Sequence, residues 1–203
     1  MLPVPLIVFL DANVVYSRCL RDWLVLMALD SQYTAYELRW SEAVLAEAFY
    51  HLRRSHPAAP EQRIERWRDL LDRNFPEAKV VRWDPQAVPE PKDPNDHHVL
   101  AAAYAGHVDI LVTCDGDVEN FQQCLDQVGA GIEVAHVDDF LCMIAERHSA
   151  LVRRQYLSQI AYWKRRGELS DDAAADSCID SLDKAGARRF AFLLRTDERL
   201  RSW

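Results

Sequence analysis

The chain has 203 residues, of which 49% are hydrophobic and 28% charged, with a formal net charge of −8. This is enough for one domain of ordinary size with a short appendage, and it is the composition of neither a disordered chain nor a membrane protein. The five cysteines (Cys19, Cys114, Cys124, Cys142 and Cys178) are odd in number, widely spaced and form no Cys-x-x-Cys pair. They argue against a disulfide framework and a zinc site, and suit a reducing cytoplasm.

The charge is unevenly distributed. Residues 84–146 hold one basic residue, Lys92, against thirteen acidic ones, whereas residues 51–83 balance to +3 and residues 147–203 to +4. Such segregation serves an enzyme that holds cations on its acids and phosphates on its basic flanks, although solvated helix faces look the same.

The apolar run at residues 2–10 is too short to span a bilayer and lacks a basic leader and a small-residue cleavage site. It reads as a buried strand over 6–10, ending at the turn-forming Asp11-Ala12-Asn13. Residues 16–29 repeat apolar side chains at helical spacing, and 36–40 form a second strand. Ser41 is an N-cap for a helix to about residue 54. Residues 61–75 are amphipathic and helical, and 79–83 make a third strand. Residues 84–94 carry four prolines and form an extended loop. A helix over 94–106 starts with Asp93 at the N-cap, Pro94 at the first helical position and Asp96 two residues on. A fourth strand (108–113), a helix (118–127), a fifth strand (132–136) and a long helix from Asp138 follow. The tail, 148–203, reads as two or three helices broken at Gly167 and Gly186.

Strands alternating with helices predict a parallel sheet covered on both faces, whose functional crevice lies at the strands' carboxyl ends. Asp11 follows the first strand and Asp115 the fourth. Asp96 stands at the start of a helix, and Glu47 lies within the helix after the second strand. Each has an ordinary explanation as a turn, cap or surface residue, and Glu42 rivals Glu47. As a set they form an all-carboxylate site, which points to Mg²⁺ or Mn²⁺ and to metal-assisted phosphodiester cleavage. Asp93 suits a helix cap better than a ligand, and His97 and His98 suit structural roles. Arg53, Arg54, Arg63, Arg66, Arg165 and Arg166 could grip an RNA backbone.

Four segments resemble the PIN-domain family, in particular VapC-like toxins of bacterial toxin–antitoxin pairs: Val8-Phe9-Leu10-Asp11-Ala12-Asn13-Val14, Ser41-Glu42-Ala43-Val44-Leu45-Ala46-Glu47, the run from Asp93 to Ala103, and Leu111-Val112-Thr113-Cys114-Asp115-Gly116-Asp117. A fifth, His136-Val137-Asp138-Asp139-Phe140-Leu141, resembles the family's closing strand-to-helix turn. The resemblance covers about residues 4–146. It implies a three-layer α/β/α sandwich with a central parallel sheet of about five strands, as a nuclease domain over 1–147 with a helical extension over 148–203. It also implies a cytoplasmic, Mg²⁺- or Mn²⁺-dependent endoribonuclease that dimerises and is held by a cognate antitoxin. Asp11, Glu47, Asp96 and Asp115 match the family's acidic quartet, and Asp117 a further metal-site acid. Asn13 and Thr113 match polar positions beside the metal, while Cys114 stands where many members have glycine. The alternative is a PIN-like module that binds RNA or protein without cleaving. A phosphatase with a nucleophilic aspartate after the first strand, a receiver domain and a dinucleotide-binding module each lack their motifs here.

Overall fold

The computed structural model of the protein describes residues 4–30, 32–33, 35–57 and 61–201. Its contacts divide the chain into two compact units, one made of residues 1–16 and 36–136 and the other of 17–35 and 137–203.

The first unit is a five-stranded sheet. Its strands are β1 (Leu6–Leu10), β2 (Tyr36–Ser41), β3 (Lys79–Val80), β4 (Ile110–Thr113) and β5 (Glu133–His136), in the spatial order β3-β2-β1-β4-β5. Every pairing is parallel, with Val8 opposite Leu38 on one side of β1 and opposite Ile110 on the other. The two central strands are the continuous apolar runs of the sequence. Val8, Phe9, Leu10, Ile110, Leu111 and Val112 are all buried, as strands covered on both faces require. The helices of this unit are α1 (Ala12–Tyr16), α3 (Glu42–Ser55), α4 (Glu61–Asn74), α5 (His97–Ala105) and α6 (Val118–Gln127). Val99 to Ala103 of α5 are wholly inaccessible to solvent, and the small alanines let the helix lie close to its neighbours. At its end, a Cβ on Gly106 would come within 2.9 Å of the Val80 side chain.

The structure departs from the sequence expectations at element ends. The third strand stops at Val80 because it pairs only at the sheet edge, with Trp40 and Ser41, and Val81 is already 76% exposed. The helix expected from Pro94 begins as a 3₁₀ turn, Pro94–Asp96, and becomes α-helical only at His97. Asp96, with φ −85° and ψ −3°, sits at the junction. The helix expected over 16–29 is interrupted at Ser17, whose ψ of 109° is extended, so that α1 and α2 (Arg18–Ala28) are separate.

The second unit gathers α2 with α7 (Val137–Arg147), α8 (Ser149–Gly167), α9 (Asp171–Lys184), α10 (Arg188–Thr196) and α11 (Glu198–Arg201). Trp23 of α2 meets Phe190 of α10 edge to face, their ring centroids 5.1 Å apart. The buried Asp138 carboxylate accepts the backbone N–H groups of Arg189 (3.0 Å) and Phe190 (2.9 Å), satisfying the first turn of α10. Among the described residues no helix is long and apolar enough to cross a membrane.

Ser41, fully buried, accepts the N–H of Val44 at 3.2 Å and caps α3. Ser41→Ala removes that cap and is expected to cost about 1 kcal/mol or more. In a chain of this size that lowers Tm by roughly 2–4 °C, measurable by thermal unfolding. An unchanged Tm would show that the cap contributes nothing.

Candidate active site

The order of the strands reverses between β1 and β4, and the crevice of such a sheet opens there, at the strands' carboxyl ends. Asp11 is the first residue after β1 and is only 4% exposed. Its backbone N–H still belongs to the sheet, donating to the Val112 carbonyl at 3.0 Å. One carboxylate oxygen accepts the N–H of Ala12 (2.6 Å) and the other the hydroxyl of Thr113 (2.7 Å).

Thr113, the last residue of β4, is fully buried. Its oxygen also accepts the Asp115 N–H (3.0 Å) and the Asn13 side-chain amide (3.1 Å). The Asn13 carbonyl oxygen in turn accepts the N–H of Cys114 at 2.9 Å. Cys114 therefore takes the position the resemblance gives to glycine without disturbing this loop. The two ends of β1 and β4 are thus tied by one continuous set of hydrogen bonds among Asp11, Asn13, Thr113 and Asp115.

Burial without a counter-charge raises a carboxyl pKa. Desolvation pushes Asp11 up to about 6, against the bonds from Thr113 and Ala12. Asp96 rises further, to about 7, through desolvation and then through the negative charges of Asp11, Asp93, Asp115 and Glu47. The four carboxylates singled out in the sequence therefore act on one another. Among the described residues, however, no three His, Cys, Asp or Glu side chains lie close enough to grip an ion by themselves.

The other residues named from the sequence are placed as follows. Glu47 stands 3.3 Å from His98 Nε2 and 3.6 Å from His51 Nε2. The close approach of the His98 imidazole holds the Glu47 carboxyl below its usual range, against desolvation. Burial opposes a charged His98, but the Glu47 carboxylate and the Asn95 carbonyl, which accepts from Nδ1 at 2.7 Å, hold the ring's pKa above the ordinary value. Glu42 turns elsewhere, to Arg68 and to Lys79 at 3.1 Å. Asp93 caps the 3₁₀ turn through the Asn95 N–H at 2.9 Å. Asp117 is exposed, donates its N–H to Asp115 (3.2 Å) and faces Lys92 Nζ at 3.5 Å. His97 Nε2 meets the Val88 carbonyl at 3.0 Å.

Arg53, Arg54 and Arg66 belong to the first unit and Arg165 and Arg166 to the second, while the side chain of Arg63 lies outside the described residues. The histidine pair around Glu47 is the feature that sequence reasoning missed. The signals were there: His51 lies one helical turn after Glu47 and His98 two residues after Asp96.

A family model described as the PIN domain matches residues 7–117, more than half of the chain. No curated protein and no solved structure matches the chain significantly. The chain belongs to the PIN-domain family, whose members are generally nucleases acting on nucleic acids, typically with divalent metals. The donor set fits such an ion. It is made of carboxylates alone, and two of them, Asp11 and Asp96, are held above the ordinary carboxylate range for want of a counter-charge. Ions of the Mg²⁺ type take oxygen ligands and keep several waters.

Two outcomes follow for the metal-free protein. Asp11 and Asp96 ionise at higher pH folded than unfolded. The stability they contribute is present below the ordinary aspartate range and is lost as pH rises through about 6 and about 7. Melting temperatures in EDTA should therefore decline from about pH 5 to about pH 8, and Asp96→Asn should flatten the upper part of that decline. An identical slope in the variant would refute the assignment. Thr113→Val keeps the shape but removes the hydroxyl that Asp11, Asn13 and Asp115 share. It is expected to cost about 1–3 kcal/mol and to move the Asp11 titration, followed by carboxyl ¹³C NMR, above about 6.

Proposed function

We propose that this protein is a metal-dependent endoribonuclease, the toxin of a type II toxin–antitoxin pair, acting in the cytoplasm as a homodimer restrained by its antitoxin. The observation that carries the nuclease reading is the hydrogen-bonded Asp11–Thr113–Asp115 constellation at the reversal of the sheet, with Asp96 and Glu47 coupled to it by charge. The toxin, dimer and antitoxin parts rest on the resemblance of the four segments to VapC-like proteins, and on the helices that follow residue 147.

Asp11, Asp96 and Asp115 would hold Mg²⁺ or Mn²⁺, with Glu47 and Asp117 beside them. When bound, the ion supplies a Lewis acid that neutralises the carboxylates and the charge developing on the scissile phosphate. The protein's own part is orientation. Thr113 and the Ala12 N–H fix both oxygens of Asp11. Thr113 also restrains the Asp115 backbone, and His98 keeps Glu47 ionised and oriented. A carboxylate beside the attacking water can accept its proton. Arg53 and Arg54 in the first unit, and Arg165 and Arg166 in the second, are the candidate contacts to the RNA backbone.

The test is cleavage of total cellular RNA by the purified protein in Mn²⁺, in Mg²⁺ and in EDTA, beside Asp11→Asn and Asp96→Asn. Discrete products that require the metal, and that fall at least about a hundredfold in both variants, are expected. A folded, inhibitor-free protein that cleaves under none of these conditions would instead be a module that binds without cutting.

A further inference from the structure

Helix α8 carries five basic residues (Arg153, Arg154, Lys164, Arg165 and Arg166) and no acidic one. Two of these charges are answered inside the second unit, Arg154 by Asp30 at 3.3 Å and Lys164 by Asp171 at 2.7 Å. Arg166 instead turns to a solvent-open cavity of about 130 Å³ lined by α2, α8 and α9, where Arg18 of α2 faces it. Both guanidinium groups donate to one atom, the phenol oxygen of Tyr162, Arg18 at 2.7 Å and Arg166 at 3.1 Å. Each also lies within cation–π range of a ring: Arg18 is 5.8 Å from the Tyr162 ring centroid and Arg166 5.8 Å from that of Trp163. The shared phenol bond limits the freedom of both planar groups and reduces the entropy lost when they bind a ligand.

Among the described residues the one acid on the cavity wall is Asp22, which lies 3.5 Å from Arg18 Nε, so the wall keeps a surplus of positive charge. A guanidinium has five N–H donors. The phenol takes one from each arginine and Asp22 one more, which leaves donors on both. Gln159 and Ser181 add neutral polar groups to the same wall. The volume equals about four water molecules. That admits a tetrahedral oxyanion.

We infer that the cavity between Arg18 and Arg166 is a phosphate-binding site, and that it holds a backbone phosphate of a single RNA strand. The choice of RNA as the carrier of the phosphate rests on the nuclease reading; the phosphate chemistry does not. The site lies wholly on α2, α8 and α9, elements that the match over residues 7–117 covers only in part, and none of the acidic quartet takes part in it.

The experiment is fluorescence anisotropy of a labelled single-stranded RNA of about 12 nucleotides, within the usual span of a single-strand site, titrated with the full chain in EDTA, where no metal-dependent cleavage occurs, at several salt concentrations. Arg18→Gln combined with Arg166→Gln is expected to weaken binding roughly tenfold or more and to lower the salt slope by about 0.7, the share of one neutralised phosphate. Lys184→Gln, which removes a positive charge at the end of α9 and outside the cavity wall, should keep the affinity within about twofold. Inorganic phosphate should compete with the RNA for the unsubstituted protein and not for the double variant. A folded double variant with unchanged affinity and salt slope would overturn the site, leaving the arginines as an inter-helix clamp. Competition by phosphate with no arginine-dependent RNA binding would also overturn it as an RNA site. The nuclease reading fails separately, by absence of metal-dependent cleavage in a protein whose arginine-dependent binding is intact.

Discussion

The hydroxyl of Thr113 reaches the carboxylate of Asp11 across 2.7 Å of fully buried space, and most of the site depends on that hydrogen bond. It joins the last residue of β4 to the first residue after β1, and the same oxygen receives Asn13 and the backbone of Asp115. A buried carboxylate with no partner would be expelled or protonated. With one hydroxyl and one backbone N–H it is held, but not neutralised, and its pKa stays near about 6. The fold thus stores an unanswered negative charge at a fixed place, which is what an enzyme needs if a cation is to complete it.

The carboxylates are not equivalent, and their surroundings divide them. Glu47 lies between two imidazoles and ionises easily, whereas Asp96 is half-buried among like charges and ionises with difficulty. The two acids therefore meet a cation differently: Glu47 already has its counter-charge, whereas Asp96 gives up its proton more readily once a cation is near. The paired histidines make the difference, and they do so from outside the cluster that the acids themselves define.

Much of the sheet was legible in the chain because burial on both faces leaves a plain mark: β1 and β4 are uninterrupted apolar runs, and the residue after such a run must lie at a strand's carboxyl end. That reasoning located Asp11 and Asp115. The tail's breaks were legible for a different reason, since α8 ends at Gly167 and Gly186 adopts φ +93° after α9, a conformation that glycine tolerates best. The start of α5 differs from expectation because Pro94 after Asp93 announces a helix without saying which kind, and the first turn winds as 3₁₀. His51 was within reach of helical spacing from Glu47, but the approach of Glu47 to His98 on another helix was hidden, because periodicity reports that a helix face is covered and not what covers it. The grouping of α2 with the last five helices was hidden for the same reason.

That grouping also bears on how the chain is assembled. The polypeptide leaves the first unit after Tyr16, contributes α2 to the second, returns at β2, and departs again only after His136. A ribosome therefore releases α2, with its buried Leu20, Trp23, Leu24 and Met27, long before Phe190, the ring on which Trp23 packs, has been made. Throughout that interval an apolar helix face waits in the nascent chain without its native cover. The second unit cannot finish folding until α10 has emerged, so a chain of this design matures late, and any protein that binds the second unit during translation meets α2 first.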